Sequence, residues 1–175
     1  GLYAQSKWEA EQGLWKLHHQ KGIELVIIRP PLVYGPRARG SFARLLSLIE
    51  KEVPLPLGDI RNQRSLVALD NLVDLIMTCI DHPAAANQVF LASDGKDIST
   101  TDLILGVAEA MGKPARLVKV PASILMVLGV LLGKKTLAQR LLGSLQIDIS
   151  KAREVLGWEP PISVEEGFRR CFAKD

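Results

Sequence analysis

Tyr3 and Lys7 stand four residues apart in "GLYAQSKWEAEQGL", so in a helix a phenol and an ammonium share one face and reach the same small space. A tyrosine side chain in water ionises near pH ~10 and is a poor base at neutrality. A neighbouring cation favours the phenolate and shifts an acid by roughly one to three pH units. One lysine barely suffices for work near neutrality, and a second positive charge such as an oxidised nicotinamide ring would complete the effect. The same spacing also arises from a helix-start aromatic and a surface lysine, so the pair alone leaves both readings open.

The elements that must position this pair are read from periodicity and punctuation. Residues 3 to about 20 form a helix with Trp8 and Trp15 on one stripe, ended by Gly22. The apolar run "ELVII", Glu24 to Ile28, reads as a strand of the fully buried kind found in parallel sheets. "PPLVYGPRARGS" reads as a loop and about 42–51 as a helix. "PLPLGDIRNQ" is another loop and "RSLVAL" a strand. Asp70 is placed as the N-cap of the helix "NLVDLIMTCIDH". There follow a strand near "QVFLAS", a turn at "DGKD", a helix from Ser99 to about Met111, a strand at "ARLVKV" and an apolar helix after Pro121. Two short helices around a Pro-Pro turn close the chain. The order is mixed α/β with helices dominating, and the strands are too few for a complete doubly wound domain. No strand is followed by G-x-G-x-x-G or a close variant.

Composition narrows the function classes. Of 175 residues, 47% are hydrophobic and 23% charged, as in a folded soluble domain. The net charge of +3 is scattered and no aromatics interleave with a basic run, which argues against nucleic acid. Cys79 and Cys171 lie far apart in apolar helical patterns and read as buried or half-buried thiols of a reducing, cytoplasmic compartment. His18, His19 and His82 suit helix ends, and no metal site is expected. No secretory-signal pattern opens the residues, which begin on Gly1 already inside a helix, as after a cut in a longer protein or a tag scar. "VPASILMVLGVLLG", Val120 to Gly133, is too short to span a bilayer and reads as a buried helix, with peripheral membrane attachment as the second option. Its Gly129-x-x-x-Gly133 spacing is a weak membrane-packing signal.

Four segments in order, "YAQSKWEAE", "VIIRPPLVYGPR", "PLPLGDIRNQRSLVALDNLVDLI" and "DISKAREVLGWEP", resemble the C-terminal half of the extended short-chain dehydrogenases/reductases, the NAD-dependent nucleotide-sugar epimerase/dehydratase family. The resemblance covers essentially the whole chain. It implies the C-terminal part of a Rossmann-type domain plus a small mixed α/β substrate-binding domain. Residues 1–36 would be the tail end of the dinucleotide-binding domain, and 37–175 mainly the substrate-binding domain, with room for a strand and helix to return to the first.

In that family Tyr-x-x-x-Lys is the catalytic core. The resemblance therefore implies that Tyr3 exchanges a proton with a sugar hydroxyl while Lys7 favours the phenolate and bonds the cofactor ribose. Pro30 and Pro31 would lie against the nicotinamide, though a proline pair also simply ends a buried strand. Arg64 matches an arginine that holds the diphosphate of the sugar nucleotide, a task suited to its forked donors, and Ser41 matches a looser substrate contact. Asp70, Arg37 and Arg39 are left without a role at the site. Leu32 replaces an asparagine of many epimerases, which removes one polar contact. The implied cofactor is NAD or NADP, mostly bound upstream, the substrate a UDP-linked sugar, and the full-length assembly a homodimer. An epimerase of bacterial surface-polysaccharide synthesis is the leading function. A UDP-4-keto-6-deoxy-N-acetylhexosamine 4-reductase and a non-catalytic nucleotide-binding relative are the alternatives. The chain by itself is expected to be inert.

Overall fold

The computed structural model describes residues 2–38 and 40–173. Helix α1 (Leu2–Lys21) carries His18, His19 and Lys21 in its last turn, where cations suit the helix dipole. Gly22 ends it at φ 68°, its N–H donating to the His18 carbonyl. Strand β1 (Val26–Arg29) is followed by Pro30–Pro31 and then by β2 (Leu32–Tyr34). Two consecutive residues without N–H break the ladder, so the strand run divides between two parallel pairs. One pair sets Leu32–Tyr34 beside β3 (Leu66–Ala68), and the other sets β1 beside β4 (Gln88–Leu91).

The helices are α2 (Ser41–Glu50), α3 (Leu69–Asp81), α4 (Thr100–Ala110), α5 (Ala122–Leu131), α6 (Lys135–Leu142), α7 (Ser150–Leu156) and α8 (Val164–Arg170). Ser99 caps α4 and Ser163 caps α8, each hydroxyl accepting an N–H three residues on. Between α3 and β4 a 3-10 turn, Pro83–Ala85, is capped by His82.

The β2–β3 pair divides the interior. Because successive strand residues face opposite ways, Leu66 and Ala68 join Tyr34, Phe42, Ile104, Val107, Val164 and Phe168 in one core. Val67 between them faces Leu75, Phe90, Ala152, Leu156 and Trp158 in a second core. A polar bolt crosses the divide. The Tyr34 hydroxyl donates to Asp94 Oδ2 (2.7 Å), while Asp94 Oδ1 accepts from Ala68 N–H (2.8 Å) and Asn71 Nδ2 (2.7 Å). Asn71 also bonds both backbone groups of Ile162, tying α8's approach to α3. Burial pushes the Asp94 carboxyl up in spite of these donors, and burial followed by the Asp94 charge pushes the Tyr34 phenol up.

Five local expectations are corrected. Strand β1, read as fully buried, is half-buried at Val26, Ile27 and Ile28 and exposed at Arg29, since β4 is its one partner strand among the described residues. β2 lies inside the segment read as a loop, because Leu32–Tyr34 finds a partner strand that local composition does not show. Helix α3 begins at Leu69 with Ala68 as N-cap, so Asp70 stands in the first turn and pairs with Arg170 Nη1 (2.7 Å). "ARLVKV" forms a single bridge, Leu55 with Leu117, since Pro54 and Pro56 on either side of Leu55 lack the N–H groups to extend it. Helix α5, read as buried, contributes no buried residue among the described residues and packs on α6. There a Cβ on Gly129 would meet Ala138 Cβ at 2.5 Å, so this glycine serves the contact between the two helices.

Candidate functional site

Helix α1 presents Tyr3 and Lys7 on one face, with Lys7 Nζ 5.9 Å from the centre of the Tyr3 ring. Both side chains are exposed, Tyr3 at 76%. Glu11 is the next residue along the same stripe, at i+8 from Tyr3. Its carboxylate takes two hydrogen bonds from Arg29, one from Nε at 3.0 Å and one from Nη2. This forked pair holds Glu11 below the usual carboxylate range, the Arg29 hydrogen bond being the main cause. Arg29 is the last residue of β1, immediately before Pro30 and Pro31. The ion pair therefore joins the middle of α1 to the end of β1, just before the two prolines. Sequence reasoning missed Glu11. The available signal was an acid two helical turns beyond Tyr3, with an arginine ending the next strand.

Arg64 has a different environment. Its backbone bridges Ile98, and Nη1 donates to the carbonyls of Arg140 and Gly143 at the end of α6, the latter at 3.3 Å. Burial lowers the guanidinium's pKa from its ordinary value. Asn62, two residues before, shares the task, with Nδ2 donating to Gly143 O (2.8 Å) and Leu141 O (3.2 Å) and Oδ1 accepting from Thr100 N–H (2.8 Å). These bonds satisfy carbonyls that a helix end leaves orphaned. Asn62 also escaped the sequence reading, as an asparagine in a loop gives no sign that it is buried. Ser41 is the exposed first residue of α2, after Gly40 at φ 75°. Arg37 stands exposed at φ 57°, and Arg39 lies outside the described residues.

Tyr3 and Lys7 thus share one face of α1, Pro30 and Pro31 follow the end of β1, and Ser41 and Arg64 stand on other elements. A cleft of about 520 Å³ between α4 and α8, lined by Gly106, Glu109, Glu165, Phe168 and Arg169, touches none of these six residues. Two thiols, Cys79 buried and Cys171 half-buried, are free, and burial pushes the Cys171 thiol up to about 11. Among the described residues no helix is long and apolar enough to cross a membrane.

Comparison with known proteins bears on this arrangement. The profile described as "NAD dependent epimerase/dehydratase family" matches residues 1–92. The chain is 50% identical over 169 residues to a UDP-glucose 4-epimerase of Vibrio cholerae, covering 96% of this chain and 52% of that one. It is 26% identical to the N-acetyl-alpha-D-glucosaminyl-diphospho-ditrans,octacis-undecaprenol 4-epimerase of Escherichia coli O157:H7, over 97% of this chain and 55% of the other. Its fold matches the UDP-glucuronic acid 4-epimerase of Bacillus cereus in complex with NAD, at a TM-score of 0.74 and 23% identity, over 97% of this chain and 49% of that one. The chain spans about half the length of the curated relatives it matches.

Proposed function

The chain belongs to the NAD dependent epimerase/dehydratase family, and from that premise we propose that it is the C-terminal, substrate-binding portion of a nucleoside-diphosphate-sugar epimerase. The observation that carries this reading is the Tyr3–Lys7 pair on one exposed face of α1. A phenol and an ammonium facing one space suit a sugar hydroxyl and a ribose. When bound, the nicotinamide would supply the carbon that takes and returns hydride. Tyr3 Oη takes the proton of the sugar hydroxyl as the carbonyl forms and gives it back as the carbonyl is reduced. The Lys7 ammonium favours the phenolate during this exchange and donates to the ribose. Pro30 and Pro31 would lie against the ring, and Ser41 and Arg64 would serve the sugar nucleotide.

In this reading residues 1–36 complete the dinucleotide-binding domain and 37–175 mainly form the substrate-binding domain. The pairing of β4 with β1 supports a return of the later chain to the first unit. The Vibrio relative makes UDP-glucose the substrate to try first, and the E. coli relative favours a role in surface-polysaccharide synthesis. The outward side of α1, where Trp8 is 60% exposed, is where we set a homodimer contact.

The test is Tyr3→Phe in the full-length protein, assayed for interconversion of UDP-glucose and UDP-galactose without net use of NAD(P)H. Turnover is expected to fall by at least about 10²-fold, the low end for a positioned acid–base, with UDP-sugar binding retained. Unchanged turnover would overturn the assignment, and steady consumption of NAD(P)H would replace it by the reductase.

A further inference from the structure

We infer that the α5–α6 hairpin is a docking element for an anionic bilayer surface, independent of the Tyr3–Lys7 site. Ile124, Val127, Leu128 and Leu131 recur at the spacing of one helix face, and all are exposed. Leu131 at 76% and Leu132 at 69% form the tip, and Leu137 on α6 extends the surface. Large apolar side chains left exposed together along one helix mark an interaction site.

Charge identifies the occupant. From Ala110 to Ile147 the sequence contains Lys113, Arg116, Lys119, Lys134, Lys135 and Arg140 and no acidic residue. Removing those six from the chain's 22 basic residues leaves 16 against 19 acids, so the positive charge of the molecule is concentrated here. Lys134 and Lys135 are exposed directly after the Leu131–Leu132 tip. Arg116 is paired with Glu52 (2.7 Å), so the charge beside the tip comes from Lys134, Lys135 and Arg140. An apolar surface edged by such cations is complementary to anionic headgroups over acyl chains, where long basic side chains bury their stems and keep their charge at the surface. A second copy is disfavoured because a two-fold contact sets this surface against itself and brings bases to bases. At ten residues α5 is about 15 Å long, half of a bilayer's apolar thickness, so it lies in the interface and does not cross.

The hairpin is also held rigidly. Thr100 Oγ1 donates to Leu141 O (2.7 Å), and Asn62 and Arg64 bind the neighbouring carbonyls. Membrane attachment would then fix the orientation of the whole domain, as a flexible tail would not.

The experiment is flotation of the protein that carries this chain with vesicles of phosphatidylcholine alone or with about one third phosphatidylglycerol. Binding to the anionic vesicles is expected, weakening between about 0.1 M and about 0.5 M salt. The double variant Leu131→Asp/Leu132→Asp should abolish it, and Lys134→Glu/Lys135→Glu should weaken it at least tenfold. These side chains are exposed, so thermal unfolding of both variants should match the parent and serves as the folding control. The inference fails if the parent stays in solution with both vesicles, or if the leucine variant still floats. It fails equally if that variant only converts a dimer to a monomer in sedimentation, which would make the hairpin a contact between copies.

Discussion

Replacing Tyr34 with Phe keeps the ring and removes one oxygen, so it isolates the polar bolt between the two cores. Tyr34 is fully buried, with ring centres 5.0 Å from Phe168 and 5.8 Å from Phe42, and these contacts survive in phenylalanine. What is lost is a 2.7 Å donation to a buried carboxylate and a weaker 3.3 Å contact with the Val164 carbonyl. Asp94 keeps two donors, Ala68 N–H and Asn71 Nδ2, so its charge is under-solvated and not abandoned. A hydrogen bond to a charged group contributes about 1.5–3 kcal/mol, which sets the expected loss at neutral pH. For a chain of this length that corresponds to a fall of roughly 3–12 °C in Tm. The loss should depend on pH. Burial raises the Asp94 carboxyl and the Tyr34 hydrogen bond opposes this. The charge-assisted bond therefore exists above the folded-state pKa of Asp94 and is lost as pH falls through it. Urea unfolding at about pH 7 and about pH 4 should thus show a smaller penalty for Tyr34→Phe in acid. A penalty under about 0.5 kcal/mol at neutrality, or one unchanged by pH, would refute the reasoning.

Asp94→Asn removes the buried charge and retains an acceptor for Ala68 N–H. A carboxyl raised on folding lets the native state hold its proton longer than the unfolded chain, so its ionisation penalises the fold as pH rises above the unfolded value of ~3.9. The stability difference should therefore move in favour of the asparagine variant between about pH 4 and about pH 7, and urea titrations showing the reverse trend would contradict the burial argument. Gly167→Ala would set a Cβ 2.5 Å from Tyr34 Oη and 2.9 Å from its Cε2. Overpacking is expected to cost about 1–3 kcal/mol in chemical unfolding despite the better helix former, and less when Tyr34→Phe is already present.

Where information is local, the sequence sufficed. Helix α1, with its i,i+4 pair, and the apolar strand β1 follow from periodicity, and the helix read as starting after Ser99 is α4. Strand β2 did not, since Pro30 and Pro31 before it and Gly35 and Pro36 after it mark a loop, while its partner β3 lies far along the chain. Asp94 sits in Ser-Asp-Gly, which reads as an ordinary turn, and only the packed structure shows its carboxylate against Tyr34 and Asn71. Helix α5 failed for a related reason: an apolar sequence predicts burial only if some element covers it, and coverage is a tertiary property. At the candidate site the Tyr3–Lys7 spacing was legible. The Glu11–Arg29 tie was not, because it joins a helix face to a strand end.

The pairing of β1 with β4 sets a timetable for synthesis. Val26 opposes Gln88, so β1 leaves the ribosome 62 residues before its partner. At about 5–20 residues per second it waits ~3–12 s as an apolar strand with an open edge. During that interval the Glu11–Arg29 ion pair joins α1 to a strand that lacks its β4 partner. A nascent chain paused before Leu91 therefore carries β1 with the edge that β4 will cover still unpaired. That is the stage at which a holdase chaperone has the most to bind, and slowing translation across 88–91 would prolong it.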